Sequence, residues 1–226
     1  MTNSYSHGAL WALAAPMILS NLSIPLVGIT DAAVMGHLGQ PEYLAAVGAG
    51  AQIFGVIFMG LNFLRMGTTG LAAQSYGQES STQLRNVLVQ SCCIGLALGV
   101  LLILLQRPIL AGALSLLKPS DTLGTIIGEY YQVRIWSAPV TLVNFVVIGW
   151  LLGLQNAKGA LWVLLSITIT NIVLDIFFVN GLGYTADGVA LASVIAEFAG
   201  LVCGGVLCLR SLNHYPGSWR LSEVLD

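Results

Sequence analysis

The sequence predicts an all-α integral membrane protein with six transmembrane helices. Three observations carry that expectation. The chain of 226 residues is 56% hydrophobic and only 8% charged, whereas an average soluble domain carries about 25% charged residues. A soluble protein this apolar would expose large adhesive patches. Six stretches then reach the roughly 20 apolar residues that a spanning helix needs: 10–36, 44–72, 86–112, 126–152, 159–181 and 188–210. Finally, the breaks between them are short and polar or turn-forming, as at Gly39-Gln40-Pro41-Glu42, Lys118-Pro119-Ser120-Asp121 and Gln155-Asn156-Ala157-Lys158. Such short breaks make consecutive helices antiparallel neighbours.

The first stretch reads as a permanent span. Residues 1–9 lack Lys and Arg, and the run that follows is too long for a signal-peptide core. Pro16 and Pro25 interrupt it and should bend it, which makes this helix either a moving part or a statically kinked one. Arg65 falls near the end of the second stretch, where its side chain can reach the interface. Pro139 should kink the fourth. Residues 211–226 turn polar and read as a cytoplasmic tail or linker. A cytoplasmic N-terminus places Arg85, Lys158, Arg210 and Arg220 inside and Arg107 and Lys118 outside. Both ends of the chain are then cytoplasmic, in the cell (inner) membrane. Many of the 26 glycines lie within spans, and Gly28, Gly36, Gly55, Gly60, Gly149 and Gly153 suit close helix packing. Cys92, Cys93, Cys203 and Cys208 lie in apolar runs, fit no zinc or disulfide framework and read as buried, inert thiols.

The candidate functional residues are polar groups inside these spans. Asp31 and Asp175 lie in otherwise apolar stretches, where a charge costs at least ~2.5 kcal/mol and marks an ion or substrate pathway by default. In the fourth span Tyr130, Arg134, Ser137, Thr141 and Asn144 step by 4, 3, 4 and 3 and share one helix face. Thr168, Asn171 and Asp175 share a face of the fifth, and Ser193 and Glu197 one of the sixth. Such stripes face each other or a water-filled cavity. One alternative is a hydrogen-bond network that only holds the bundle together. Counted from the span ends, Asp31, Asp175, Ser193 and Tyr130 lie about 6–10 Å below the outer boundary, at about 1.5 Å per residue. Four groups from four helices at one depth predict one pocket in the outer half. Arg134 is a candidate partner for Asp31, Asp175 or Glu197.

Two acids in a low-dielectric pocket suit proton coupling, in which a site loads and releases a proton as its exposure changes. The oxygens of Asp31, Asp175, Asn171 and Ser193 equally form a hard set suited to Na⁺. The sequence leaves H⁺ and Na⁺ both open. It holds no hydrolytic or redox constellation, no P-loop and no dinucleotide fingerprint, so neither an enzyme nor an organic cofactor is expected. No Lys/Arg cluster points to nucleic acid, and the net charge is only −2.

The residues in order are Ala15-Pro16-Met17, Asp31 with Gly36-His37-Leu38-Gly39, Leu44-Ala45-Ala46-Val47-Gly48, Gly153-Leu154-Gln155-Asn156-Ala157, Asn171-Ile172-Val173-Leu174-Asp175 and Gly188-Val189-Ala190-Leu191-Ala192-Ser193. Together they resemble the N-terminal half of a MATE (multidrug and toxic compound extrusion) transporter of the DinF-like branch. The resemblance implies one six-helix lobe of a twelve-helix, two-lobe fold, with a C-terminal lobe from the same gene or another chain. It implies export of amphipathic, often cationic small molecules against inward H⁺ or Na⁺ by alternating access. Asp31 matches the family's first-helix aspartate, and Asn171 and Asp175 its fifth-helix pair. Tyr130 and Asn144 match fourth-helix positions, and Ser193 stands where Thr is usual. Glu197 has no counterpart in this pattern. Two rivals share the same architecture: a flippase for lipids or lipid-linked precursors, and a non-transporting assembly subunit or half-transporter. The mostly acidic buried charge favours cationic cargo over anionic head groups.

Overall fold

Membrane-length apolar helices with polar caps account for the whole architecture, a computed structural model that describes residues 27–37 and 40–215. Pro16, Pro25, most of the first span and the segment after Tyr215 lie outside the described residues. Helix α1 (Val27–Gly36) ends the first span. Helices α2 (Pro41–Leu61) and α3 (Phe63–Gly77) continue one another across Asn62. Helix α4 (Ser81–Leu104) breaks at Leu105 before α5 (Gln106–Leu117). Helix α6 (Asp121–Arg134) passes through a 3-10 turn, Ile135–Ser137, into α7 (Ala138–Gly153). Helix α8 (Ala157–Asp175) runs into a π turn, Ile176–Gly181, and α9 (Ala186–Asn213) follows. Five of the described helical units are long and apolar enough to cross a membrane.

The helices extend beyond the apolar stretches because their caps are polar. The Ser80 and Ser120 hydroxyls and the Asn156 side chain accept from the backbone N–H groups of Gln83, Leu123 and Gly159. Each satisfies a donor that the first turn leaves without a partner. A hydropathy count stops short of such residues. Since α3 continues to Gly77, Arg65 lies deeper along its helix than the sequence suggested.

Helix α7 is the hub, packed against α3, α4, α8 and α9. Fully buried Trp150 donates its indole N–H to the Leu84 carbonyl at 2.9 Å. Small residues permit the close approach. A Cβ at Gly149 would meet the Arg65 carbonyl oxygen at 2.5 Å, and one at Gly153 would meet the Ala72 Cβ at 2.6 Å. Gly28, Gly36, Gly55 and Gly60, expected to do the same, have nothing within 4 Å of such a Cβ among the described residues. Gly99 instead makes room for Pro139, and Gly204 for Val147. One apolar cluster surrounds Trp150, Leu151 and Leu84. A second, around Tyr131, Ile127, Met35 and Val189, occupies the half that ends at Tyr184.

Arg85 does more than mark a loop. Its guanidinium is buried and donates to the Leu212 and Tyr215 carbonyls at 3.0 and 2.9 Å. It thereby caps the C-terminal end of α9, where carbonyls lack intrahelical donors. The cysteines are all free, but only Cys208 is buried and Cys93 is exposed, which corrects the expectation of four buried thiols. Inside an apolar run, the face a residue occupies is set by packing partners that hydropathy does not identify.

The packing contrast is testable. Gly153→Val should cost about 1–3 kcal/mol through overpacking, whereas Gly55→Ala should leave stability unchanged. Thermal unfolding in detergent measures both, and equal melting curves would contradict this account of α3–α7 contact.

Candidate functional site: a buried acid pair and its polar ladder

Two local irregularities shape the site. Pro139 has no N–H to give the Ile135 carbonyl and its ring crowds that group. The chain answers with the 3-10 turn, in which the Ala138 N–H bonds Ile135 instead. The turn is stitched by Ser137, whose hydroxyl donates to the Arg134 carbonyl at 2.8 Å and accepts from the Arg134 guanidinium at 3.3 Å. The π turn begins directly after Asp175, with the Leu182 N–H bonded to the Phe177 carbonyl at 3.1 Å. Such wide turns recur at functional positions.

Asp31 of α1 and Asp175 of α8 are buried, at 6% and 0% exposure, and their carboxyls lie within hydrogen-bonding range of each other. Among the described residues, Asp31 Oδ1 and both Asp175 oxygens receive no donor. Deprotonated carboxylates are acceptors only, so this contact becomes a hydrogen bond only when a proton lies between them. Asn171 lies one turn from Asp175. It donates its amide to the Ser193 hydroxyl at 3.2 Å, and its own Oδ1 also lacks a donor. Four buried, unpartnered acceptor oxygens therefore belong to two adjacent turns of α8 and to the facing α1. That is an arrangement able to take a proton or a hard cation. Among the described residues, no group of three or more His, Cys, Asp or Glu could hold a metal ion.

Tyr130 and Arg134 complete this half. Tyr130 is buried with its hydroxyl within hydrogen-bonding range of Arg134, and both aspartates act on it electrostatically. The guanidinium lies 5.8 Å from the Phe54 ring centroid, a cation–π distance. Arg134 acts on both aspartates through space, but among the described residues it forms no ion pair within 4.0 Å. Phe54 and Tyr131, which stack at 5.1 Å, support this face and were not singled out by sequence. Gly50 was missed as well: a Cβ there would collide with the Tyr130 ring.

One turn along α9 from Ser193 lies Glu197. The Asn144 amide donates both to the Glu197 backbone carbonyl at 2.9 Å and to its carboxyl at 2.8 Å. Gly200 allows that approach, because a Cβ there would stand 3.2 Å from the Asn144 amide nitrogen. Thr141, one turn from Asn144 on α7, is buried with its hydroxyl unpaired. The predicted pocket thus appears as a ladder. Asp31, Asp175, Tyr130 and Arg134 form the first rung, Asn171 and Ser193 the second, and Asn144 and Glu197 the third. Beside Asp31, α1 and α2 leave an almost wholly apolar cavity of about 160 Å³, lined by Gly28, Ala32, Leu44, Val47, Gly48 and Ala51 as well as Asp31.

Fold and site together define a polytopic membrane protein with a buried acidic centre. The MatE family model matches residues 16–177, and the chain belongs to the MATE family. It is 45% identical over 212 residues to DNA damage-inducible protein F of Escherichia coli, covering 94% of this chain and 46% of that protein. It is 31% identical to a probable multidrug resistance protein NorM of Rhodopseudomonas palustris, covering 91% and 44%. A MATE crystal structure in the bent conformation superposes with a TM-score of 0.79 at 25% identity, over 95% of this chain and 49% of that one. An outward-facing multidrug resistance MATE transporter of the MOP superfamily gives 0.78 at 25% identity, over 94% and 48%. The chain spans about half the length of the relatives it matches, consistent with one lobe.

Asp175→Asn tests the electrostatics of the first rung. It replaces an acceptor facing Asp31 with an amide that can donate to it. The variant should fold and be as stable as the parent or up to about 1–3 kcal/mol more stable. Melting in detergent measures this, and destabilisation would contradict it.

Proposed function

We propose that this chain is the N-lobe of a secondary active multidrug antiporter, a transporter rather than an enzyme. It moves amphipathic or cationic compounds outward against inward H⁺ or Na⁺ by alternating access. It resides in the cell (inner) membrane with both ends of this stretch cytoplasmic, and pairs with a C-terminal six-helix lobe from the same gene or another chain. The observation that carries this reading is the Asp31–Asp175 pair, with its unpartnered oxygens, joining α1 to α8.

The pair works as a cation-dependent tie. With a proton between the carboxyls, the two helices are bonded. Without it, like charges face each other in low dielectric and oppose the same contact. Na⁺ would achieve the same closure through Asp31, Asp175, the Asn171 carbonyl and the Ser193 hydroxyl. A cavity of about 160 Å³ toward α2 leaves room beside α1. Pro16 and Pro25 are the bending points on this reading. Tyr130, Arg134, Asn144 and Glu197 line and stiffen the network around the pair. Cation and drug then favour different conformations, which is the thermodynamic requirement for coupling.

Efflux of a fluorescent cationic dye from cells making the complete coding sequence tests the reading. Asp31→Asn should lower efflux at least tenfold with the protein still present in the membrane. Collapsing the proton or the sodium gradient separately identifies the ion. Undiminished export by Asp31→Asn would sink the role given to the pair.

A further inference from the structure

Glu197 is the buried acid that the antiport reading leaves without a task. It is 8% exposed and belongs to α9, one helical turn beyond Ser193. Its carboxyl accepts one hydrogen bond, from the neutral Asn144 amide. No cation answers it: among the described residues, it forms no ion pair within 4.0 Å. Helix α7 and the 3-10 turn offer no ionisable group, and α8 offers Asp175, with Lys158 near its start. Helix α6 offers Tyr130, Tyr131 and Arg134 toward the bundle, while Glu129 and Asp121 are exposed. Helix α2 offers only Glu42 and Tyr43 in its first turn, and Asp187 and Arg210 stand near the two ends of α9 itself. The π turn has no ionisable side chain.

A glutamine would hold Asn144 as well as a carboxyl does, because a side-chain amide oxygen accepts the same hydrogen bond. Helix cohesion alone therefore does not require an acid. Burying a carboxylate with one neutral partner is costly, and the charge must be balanced by a proton at some stage. Between Glu197 and the aspartate pair stands the Asn171–Ser193 rung, whose hydroxyl both accepts and donates. Asn144 Oδ1 is buried without a donor among the described residues.

We propose that Glu197 is a second proton-carrying carboxyl of the lobe, one polar rung deeper than the Asp31–Asp175 pair. Glu197 carries a proton in addition to the one between Asp31 and Asp175, and both protons leave to solution when a cationic substrate binds. Asn144 is the positioning residue, holding the carboxyl by its backbone carbonyl and its side chain together. The inference rests on proton coupling at the aspartate pair, and its test separates the two.

Infrared pH-difference spectra of the purified full-length protein, with no substrate or gradient, read carboxyl protonation directly. Glu197→Gln should remove one titrating carboxyl band that Asp31→Asn leaves in place, and Glu197→Asp should restore it at a shifted midpoint. In proteoliposomes, Glu197→Gln should roughly halve the number of protons released per dye molecule bound, with dye affinity changed less than about threefold. An infrared spectrum and proton count identical to the parent would overturn the proposal and leave Glu197 a packing group. Should Glu197→Gln fail to assemble, Asn144→Ala carries the test: the Glu197 band must shift when its amide donor is lost, and an unshifted spectrum overturns the proposal. If Asp31→Asn exports normally while the Glu197 band titrates, the antiport assignment fails and the second site stands. The opposite pattern sinks the second site alone.

Discussion

Two carboxyls that face each other across α1 and α8 set the terms for the rest of this lobe. Asp31 and Asp175 are buried, and three of their four oxygens have no donor. In a soluble protein, water would relax such a contact. Inside a membrane bundle the relief must come from a cation, and the energy at stake is several times what the same pair would cost in water. On the proposed antiport reading, attachment of α1 to the bundle is tied to ion occupancy. A neutral pair such as Asn–Asn would hold the helices equally well and would respond to nothing.

A responsive pair needs a rigid frame, and the small residues supply it. Helix α7 meets α3 at Gly149 and Gly153, and α9 meets α7 and α8 at Gly204 and Gly200. Apolar side chains gain little by leaving lipid for one another, so close backbone approach and buried hydrogen bonds hold the frame. The Trp150 indole on the Leu84 carbonyl and the Arg85 guanidinium on the end of α9 are two such bonds. The frame is tight around α7, whereas the cavity of about 160 Å³ and the exposed Ile29 lie on α1.

Much of this was legible in the residues. Hydropathy pointed to the five membrane-length helices among the described residues because apolar length is a direct solvent requirement, and steps of three and four located Asn171, Asp175, Ser193 and Glu197 on common faces. Asp31 and Asp175 stood out because charge in an apolar run is expensive. The helix ends were less legible, since Ser80, Ser120 and Asn156 cap by hydrogen bonding and contribute nothing to hydropathy. Partners across helices were illegible too. Arg85 read as a loop cation because the carbonyls it caps are 127 and 130 residues away. Gly50 and Gly200 gave no signal distinguishing them from Gly55 and Gly60, because the difference lies in what faces them. Arg134 read as a candidate ion-pair partner, yet it bonds Ser137 and lies near Phe54, a choice set by the 3-10 turn before Pro139.

The central claim is that the Asp31–Asp175 contact holds a cation that substrate binding displaces. The most direct measurement is proton release when a cationic dye binds the detergent-solubilised full-length protein in weakly buffered solution, repeated with sodium present and absent. The account predicts proton release in the parent, or sodium-dependent dye affinity if Na⁺ is the ion, and loss of that coupling in both Asp31→Asn and Asp175→Asn while dye still binds. Coupling that persists undiminished in both variants would contradict it.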